Sequence, residues 1–126
     1  MESPGNQSER RRYIRIRKNF ILSYFDRKKP EKKFDATQLK NISLGGMCFV
    51  TSVKYEPGTI ISIELKTPYL TGTTHLEGTV LESQEKLRGI LCDTRLVFNK
   101  LNPEAEFVIK KIVEYFKEKE KEKGDR

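Results

Sequence analysis

Five arginines, Arg10, Arg11, Arg12, Arg15 and Arg17, fall within eight residues of the N-terminal region. The lysines are spread along the chain, often beside glutamate. A guanidinium is planar, permanently charged and carries five donors. It pairs with phosphate, forks onto the O6 and N7 edge of guanine, and stacks on purine faces, whereas lysine does only the first well. The cluster therefore suits a ligand that is both anionic and aromatic. Taken alone, it reads first as a solvated basic arm or a nonspecific nucleic-acid contact. A second feature is 41-NISLGG-46. Asn41 and Ser43 are two apart, so an extended strand points both side chains to one face, where each can hydrogen-bond a base edge. Gly45 and Gly46 permit a positive φ and let a ligand approach the backbone closely. Taken alone, this too is an ordinary turn between strands.

Other chemistries are hard to assemble. His75 is the one histidine, and it lies in a strand-like stretch that favours a surface or edge role. No Ser, His and acid set forms away from it, no paired carboxylates stand out, and no GxxxxGK phosphate loop occurs. The sequence predicts no catalytic activity. Cys48 and Cys92 lack CxxC spacing and with a lone histidine make no zinc set, so no metal is expected. They read as reduced, buried thiols of a cytosolic protein. Residues 1–9 are polar, without the apolar core of a signal peptide, and no run approaches the roughly 18 apolar residues of a membrane span. A cytoplasmic protein without membrane insertion is expected. The net charge of +7 favours anionic partners, or simply maintains solubility.

Positioning these residues is the task of a mostly β chain. Residues 20–25 are apolar and aromatic enough for a strand. After a charged loop with Pro30, Phe34 to Ile42 forms a second strand of poor alternation, and 43–46 turns into a buried strand at 47–50. Ile61, Ile63 and Leu65 alternate with Ser62 and Glu64. A longer strand runs from about Thr74 to Glu82, with Leu76 and Val80 on one face. Residues 83–86 read as a hairpin-like connection. Ile90, Cys92, Thr94, Leu96 and Phe98 then share a face of a last strand. Asn102 suits an N-cap, Pro103 the first helical position, and Glu104 and Glu106 the positive end of the helix dipole. Phe107, Val108, Ile109, Ile112, Val113 and Phe116 supply an apolar helical stripe, and the charged run after Phe116 has none. About six strands followed by one helix predict a small antiparallel barrel.

Together, Arg11 to Arg15 (RxxxR) and Asn41, Ser43 and Gly46 (NxSxxG) resemble the paired motifs of the PilZ domain family, in order and internal spacing. The resemblance extends from about Glu9 to Phe116. It implies a six-stranded antiparallel barrel with a C-terminal helix, acting as a bacterial, non-catalytic receptor for the second messenger cyclic di-GMP. By position, Arg11 and Arg15 would hold phosphate and guanine, Asn41 and Ser43 would read guanine edges, and Gly46 would keep the turn open. An arginine directly before RxxxR, here Arg10, implies capture of a stacked pair of nucleotides. Asn41 departs from the aspartate of many members, and its single acceptor oxygen meets only one of the two guanine N1 and N2 donors.

The implied organisation is a flexible leader at 1–9 and a domain at 10–116, with an arginine arm at 10–19, a barrel at about 20–99 and a helix from about 103. A charged helix end and tail occupy 117–126. Neutralising the arm with a dianion would fold it onto the barrel and change the surface shown to an unidentified downstream partner. Two rivals stand beside this reading: a PilZ-like adaptor working by protein contacts without nucleotide, and a basic barrel binding nucleic acid. The aromatics weigh against nucleic acid. Phe20, Phe25, Phe49, Phe98, Phe107 and Phe116 occupy expected core positions, which leaves Tyr13, Tyr55 and Tyr69 to stack.

Overall fold

The computed structural model describes residues 14–15, 20–68, 70–87 and 89–124, with side chains over 20–68, 70–87 and 89–118. The strands are β1 (Ile14–Arg15), β2 (Ile21–Asp26), β3 (Phe34–Asp35), β4 (Gln38–Ile42), β5 (Gly46–Thr51), β6 (Ile60–Lys66), β7 (Thr74–Leu87) and β8 (Leu91–Phe98). The helix α1 spans Pro103–Gly124. Hydrogen-bonded neighbours follow the order β1-β4-β5-β8-β7-β6-β2-β3, all antiparallel. Because β3 pairs with β2 while β4 pairs with β5, the chain from Phe34 to Ile42 joins the two ends of this series. Counted as one interrupted strand, it gives a closed barrel of six, with β1 as a short addition against β4. The interruption falls at Ala36, which is buried and donates its N–H to the Leu22 carbonyl (2.8 Å).

Alternation sets the interior. Ile61, Ile63 and Leu65 point inward from β6, Leu76 and Val80 from β7, and Met47 and Phe49 from β5, all almost fully buried. Each such side chain contributes roughly 1.5–3 kcal/mol relative to exposure. Asn102 caps α1, its Oδ1 accepting the Ala105 N–H at 2.7 Å, and Glu104 and Glu106 occupy the first turn. Ala105, Val108, Ile109, Ile112 and Phe116 form the buried side of the helix and join the barrel interior in one core. Phe20 anchors the junction, with ring centroids 6.2 Å from Phe116 and 5.8 Å from Tyr115.

The structure departs from the expected pattern in several places. Residues 83–86 do not form a connection: β7 continues to Leu87, and Gly89 and Ile90 lie in the turn before β8. Ser83 faces inward there, and its hydroxyl lies 2.8 Å from that of Thr94, which lies 2.8 Å from that of Thr51. The three hydroxyls form a chain that ends where Thr51 Oγ1 donates to the Val53 carbonyl (2.7 Å), so polar residues hold an interior that the pattern reserves for apolar ones. Gly89, at φ +61°, makes the tight turn, and Ile90, assigned to the inward face, is exposed in it. Phe107 is 44% exposed, because two residues beyond the buried Ala105 is nearly the opposite side of a helix. Phe25 faces outward opposite Ser62, with the Lys33 ammonium 5.7 Å from its ring centroid. Tyr55, expected to be free for stacking, is buried edge-on to Tyr24. Tyr13 and Tyr69 lie outside the described residues.

Candidate functional site

Asn41, Ser43, Gly45 and Gly46 lie together in the hairpin joining β4 to β5, and a β-bulge aims them. Leu39 pairs with Phe49, whereas Asn41 pairs with Cys48, so Lys40 is the extra residue. In a regular strand Asn41 would share the inward face of Leu39, which is 2% exposed. The bulge reverses the alternation, and Asn41 and Ser43 are both exposed.

The turn is internally bonded. The Ser43 N–H donates to the Gly46 carbonyl (2.9 Å), the Gly45 N–H to Ser43 Oγ (3.2 Å) and the Phe98 N–H to the Gly45 carbonyl (2.9 Å). The Ser43 hydroxyl proton is left to donate outward. Gly45 and Gly46 were expected to supply positive φ, and neither does; the positive-φ glycines among the described residues are Gly58, Gly72 and Gly89. Gly46 is needed for another reason. A Cβ there would overlap the Leu96 carbonyl oxygen and press on Val97 Cα, so glycine lets β5 lie close against β8. A Cβ on Gly45 would meet only Ser43 Oγ, at an ordinary 3.7 Å.

The basic arm reaches this strand at one described point. Arg15 pairs with Gln38 and Ile14 with Leu39, placing the β1 backbone along β4, three residues before Asn41. Arg10 and Arg11 lie outside the described residues, as does the Arg15 side chain. A cavity of about 200 Å³ opens beside Asn41, between Leu39–Ile42 and the Val113, Phe116 and Lys117 side of α1.

Sequence reasoning missed the neighbours that the barrel supplies. The registers set Asn41, Cys48, Arg95 and Glu82 in one cross-strand row on the outer face. Burial pushes the Cys48 thiol above its ordinary value, with Asp93 adding to the rise, while Lys40 and Arg95 pull it down. No sequence signal links residues 41 and 95; only the pairing does. Elsewhere, His75 is exposed on β7 opposite Glu64, whose carboxyl is held below its usual value mainly by the hydrogen bond from Lys33 at 2.8 Å. Among the described residues no cluster of His, Cys, Asp and Glu could hold a metal, and no helix is long and apolar enough to cross a membrane.

The fold and the outward-facing turn define a small antiparallel barrel with a polar hairpin presented beside a strand-paired arm. A family model for the PilZ domain matches residues 9–117, and the chain belongs to that family, a family of cyclic di-GMP receptors. Among solved structures it is similar to the Bacillus subtilis inhibitor of motility (MotI/DgrA), with a TM-score of 0.56 at 16% identity. That likeness covers 88% of this chain and 51% of the other, so this chain spans about half the length of that protein. A search of curated proteins gives no match.

Proposed function

We propose that this chain is a non-catalytic cytoplasmic receptor that binds cyclic di-GMP between its arginine arm and the Asn41–Gly46 turn. The observation that carries the reading is the shared strand: β4 presents Asn41 outward at one end and pairs with β1, which contains Arg15, at the other. A chain continuing antiparallel from β1 toward its N terminus would run alongside Asn41 to Ser43 and bring Arg11 and Arg10 to the turn. Arg11 and Arg15 would then pair with phosphate and stack on or fork to guanine. Asn41 would accept one guanine donor, and the Ser43 hydroxyl would donate to a base-edge acceptor. Gly45 and Gly46 keep the backbone low enough for a flat ligand. Arg10 would offset the charge of a second, stacked nucleotide, giving two per chain. Ordering of the arm would alter the surface offered to a downstream protein.

A second reading, an adaptor that works by protein contacts, draws support from the fold likeness to an inhibitor of motility. Burial of Tyr55 weighs against single-stranded nucleic acid, because it removes one of the three rings left to stack. Calorimetric titration with cyclic di-GMP, GTP and a short oligonucleotide separates the three. Saturable binding of cyclic di-GMP alone, lost in Arg11→Ala and Arg15→Ala, is the expected result. Undetectable binding of cyclic di-GMP by the wild type would overturn the receptor reading.

A further inference from the structure

The row Asn41–Cys48–Arg95–Glu82 places a cation beside the turn that neither motif contains. Cross-strand partners share a face of the sheet. Cys48 is only 5% exposed and forms a low floor, with Gly46 in the same strand and Val97, opposite Gly46 and 40% exposed, extending it. Neighbouring strands are about 4.8 Å apart, which sets the Arg95 Cα roughly 10 Å from that of Asn41. An extended arginine side chain spans about 6 Å from standard bond lengths. Its guanidinium can therefore lie over Cys48, between its own strand and Asn41.

The present partner of Arg95 holds it loosely. The Arg95–Glu82 contact is 3.8 Å, too long for a hydrogen bond, and the side chains are 57% and 45% exposed. Glu82 sits one strand farther from Asn41, so leaving it carries the guanidinium toward the turn. On the other flank, the bulge residue Lys40 makes no ion pair with a described carboxylate. Asp93, the other acid near Cys48, belongs to the next row, between Val50 and Gln84, away from the turn.

We propose that Arg95 is a further ligand-binding residue: it exchanges Glu82 for a phosphodiester of the bound cyclic dinucleotide lying over Cys48, with Lys40 facing it across the floor. The inference rests on the cyclic di-GMP reading. A nucleotide whose base edge meets Asn41 and Ser43 has to continue across the sheet, and the low floor leads it between these two cations. Glu82 then competes with the ligand for Arg95.

The test is calorimetry on the full chain with cyclic di-GMP, comparing wild type, Arg95→Ala, Arg95→Lys, Glu82→Gln and Arg11→Ala. Arg95→Ala should bind about ten- to hundredfold more weakly at an unchanged melting temperature. Arg95→Lys should recover most of the loss, since lysine serves phosphate as a point charge. Glu82→Gln should bind several-fold more tightly, which a merely structural ion pair does not predict. If Arg95→Ala and Glu82→Gln both stay within twofold of wild type while Arg11→Ala loses binding, Arg95 has no part and the motif site stands. If the wild type itself fails to bind, the cyclic di-GMP reading falls and the role of Arg95 falls with it.

Discussion

Replacing Gly46 by alanine tests whether the motif glycine serves the barrel. The added methyl group would meet the Leu96 carbonyl oxygen and the Val97 Cα, and both are backbone of β8 in mid-sheet. A flexible side chain could swing away; a hydrogen-bonded strand has to shift. Overpacking of this kind costs roughly 1–3 kcal/mol, and a backbone obstacle argues for the upper part, about 2–3 kcal/mol. Unfolding entropy of about 2.1 cal/mol/K per residue over 126 residues makes 1 kcal/mol worth about 4 °C. Gly46→Ala should therefore melt roughly 8–12 °C below wild type by differential scanning calorimetry without ligand. Gly45→Ala is the internal control. Its φ is not positive and its surroundings are open, so removing glycine's unfolded-state freedom should leave it equal to wild type or up to about 1 kcal/mol more stable. If Gly46→Ala melts within 2 °C of wild type, the close approach of β5 to β8 is wrong, and with it the cross-strand row on which Arg95 is placed.

Other consequences are open to measurement. Arg10→Leu should lower the calorimetric ratio of cyclic di-GMP to protein from two to one, and a wild-type ratio of one would remove Arg10 from the site. Asn102→Ala should destabilise the fold by about 1 kcal/mol through the lost cap on the Ala105 N–H, read from the urea midpoint; an unchanged midpoint would show the helix start is held by packing alone. Thr94→Val leaves the Thr51 and Ser83 hydroxyls without their shared partner and should cost about 1–3 kcal/mol, whereas a neutral effect would mean the three hydroxyls do not act together. Burial pushes the Tyr24 and Tyr55 phenols above their ordinary value of 10.0. Unfolded chains release these protons first, so stability is intact below pH 10 and is lost as pH rises above it. Absorbance titration, compared with Tyr24→Phe and Tyr55→Phe, should show these two phenols ionising late, with unfolding; their ionisation near pH 10 in the folded protein would contradict their burial.

Elements whose signals are local could be read from the residues alone. Alternation in β6 marked the inward residues Ile61, Ile63 and Leu65, because a strand repeats every two residues. The Asn102–Pro103 start of α1 was legible because the cap bonds a backbone group three residues on. The motif positions could be marked as well, since identity and spacing are written in the chain. Tertiary structure decided what depends on partners distant in sequence. Residues 83–86 look like a connection, yet Ser83 turns inward, where the Thr94 hydroxyl, itself bonded to Thr51, meets its own. Asn41 faces outward because Lys40 is an extra residue relative to β5, and a bulge exists only between two strands. Gly46 is required by the β8 backbone, which lies some fifty residues away, while Arg95 joins the same face only through two successive registers. Side-chain type is a property of the residue, but direction and neighbourhood come from pairing, and pairing is set by the closed sheet as a whole.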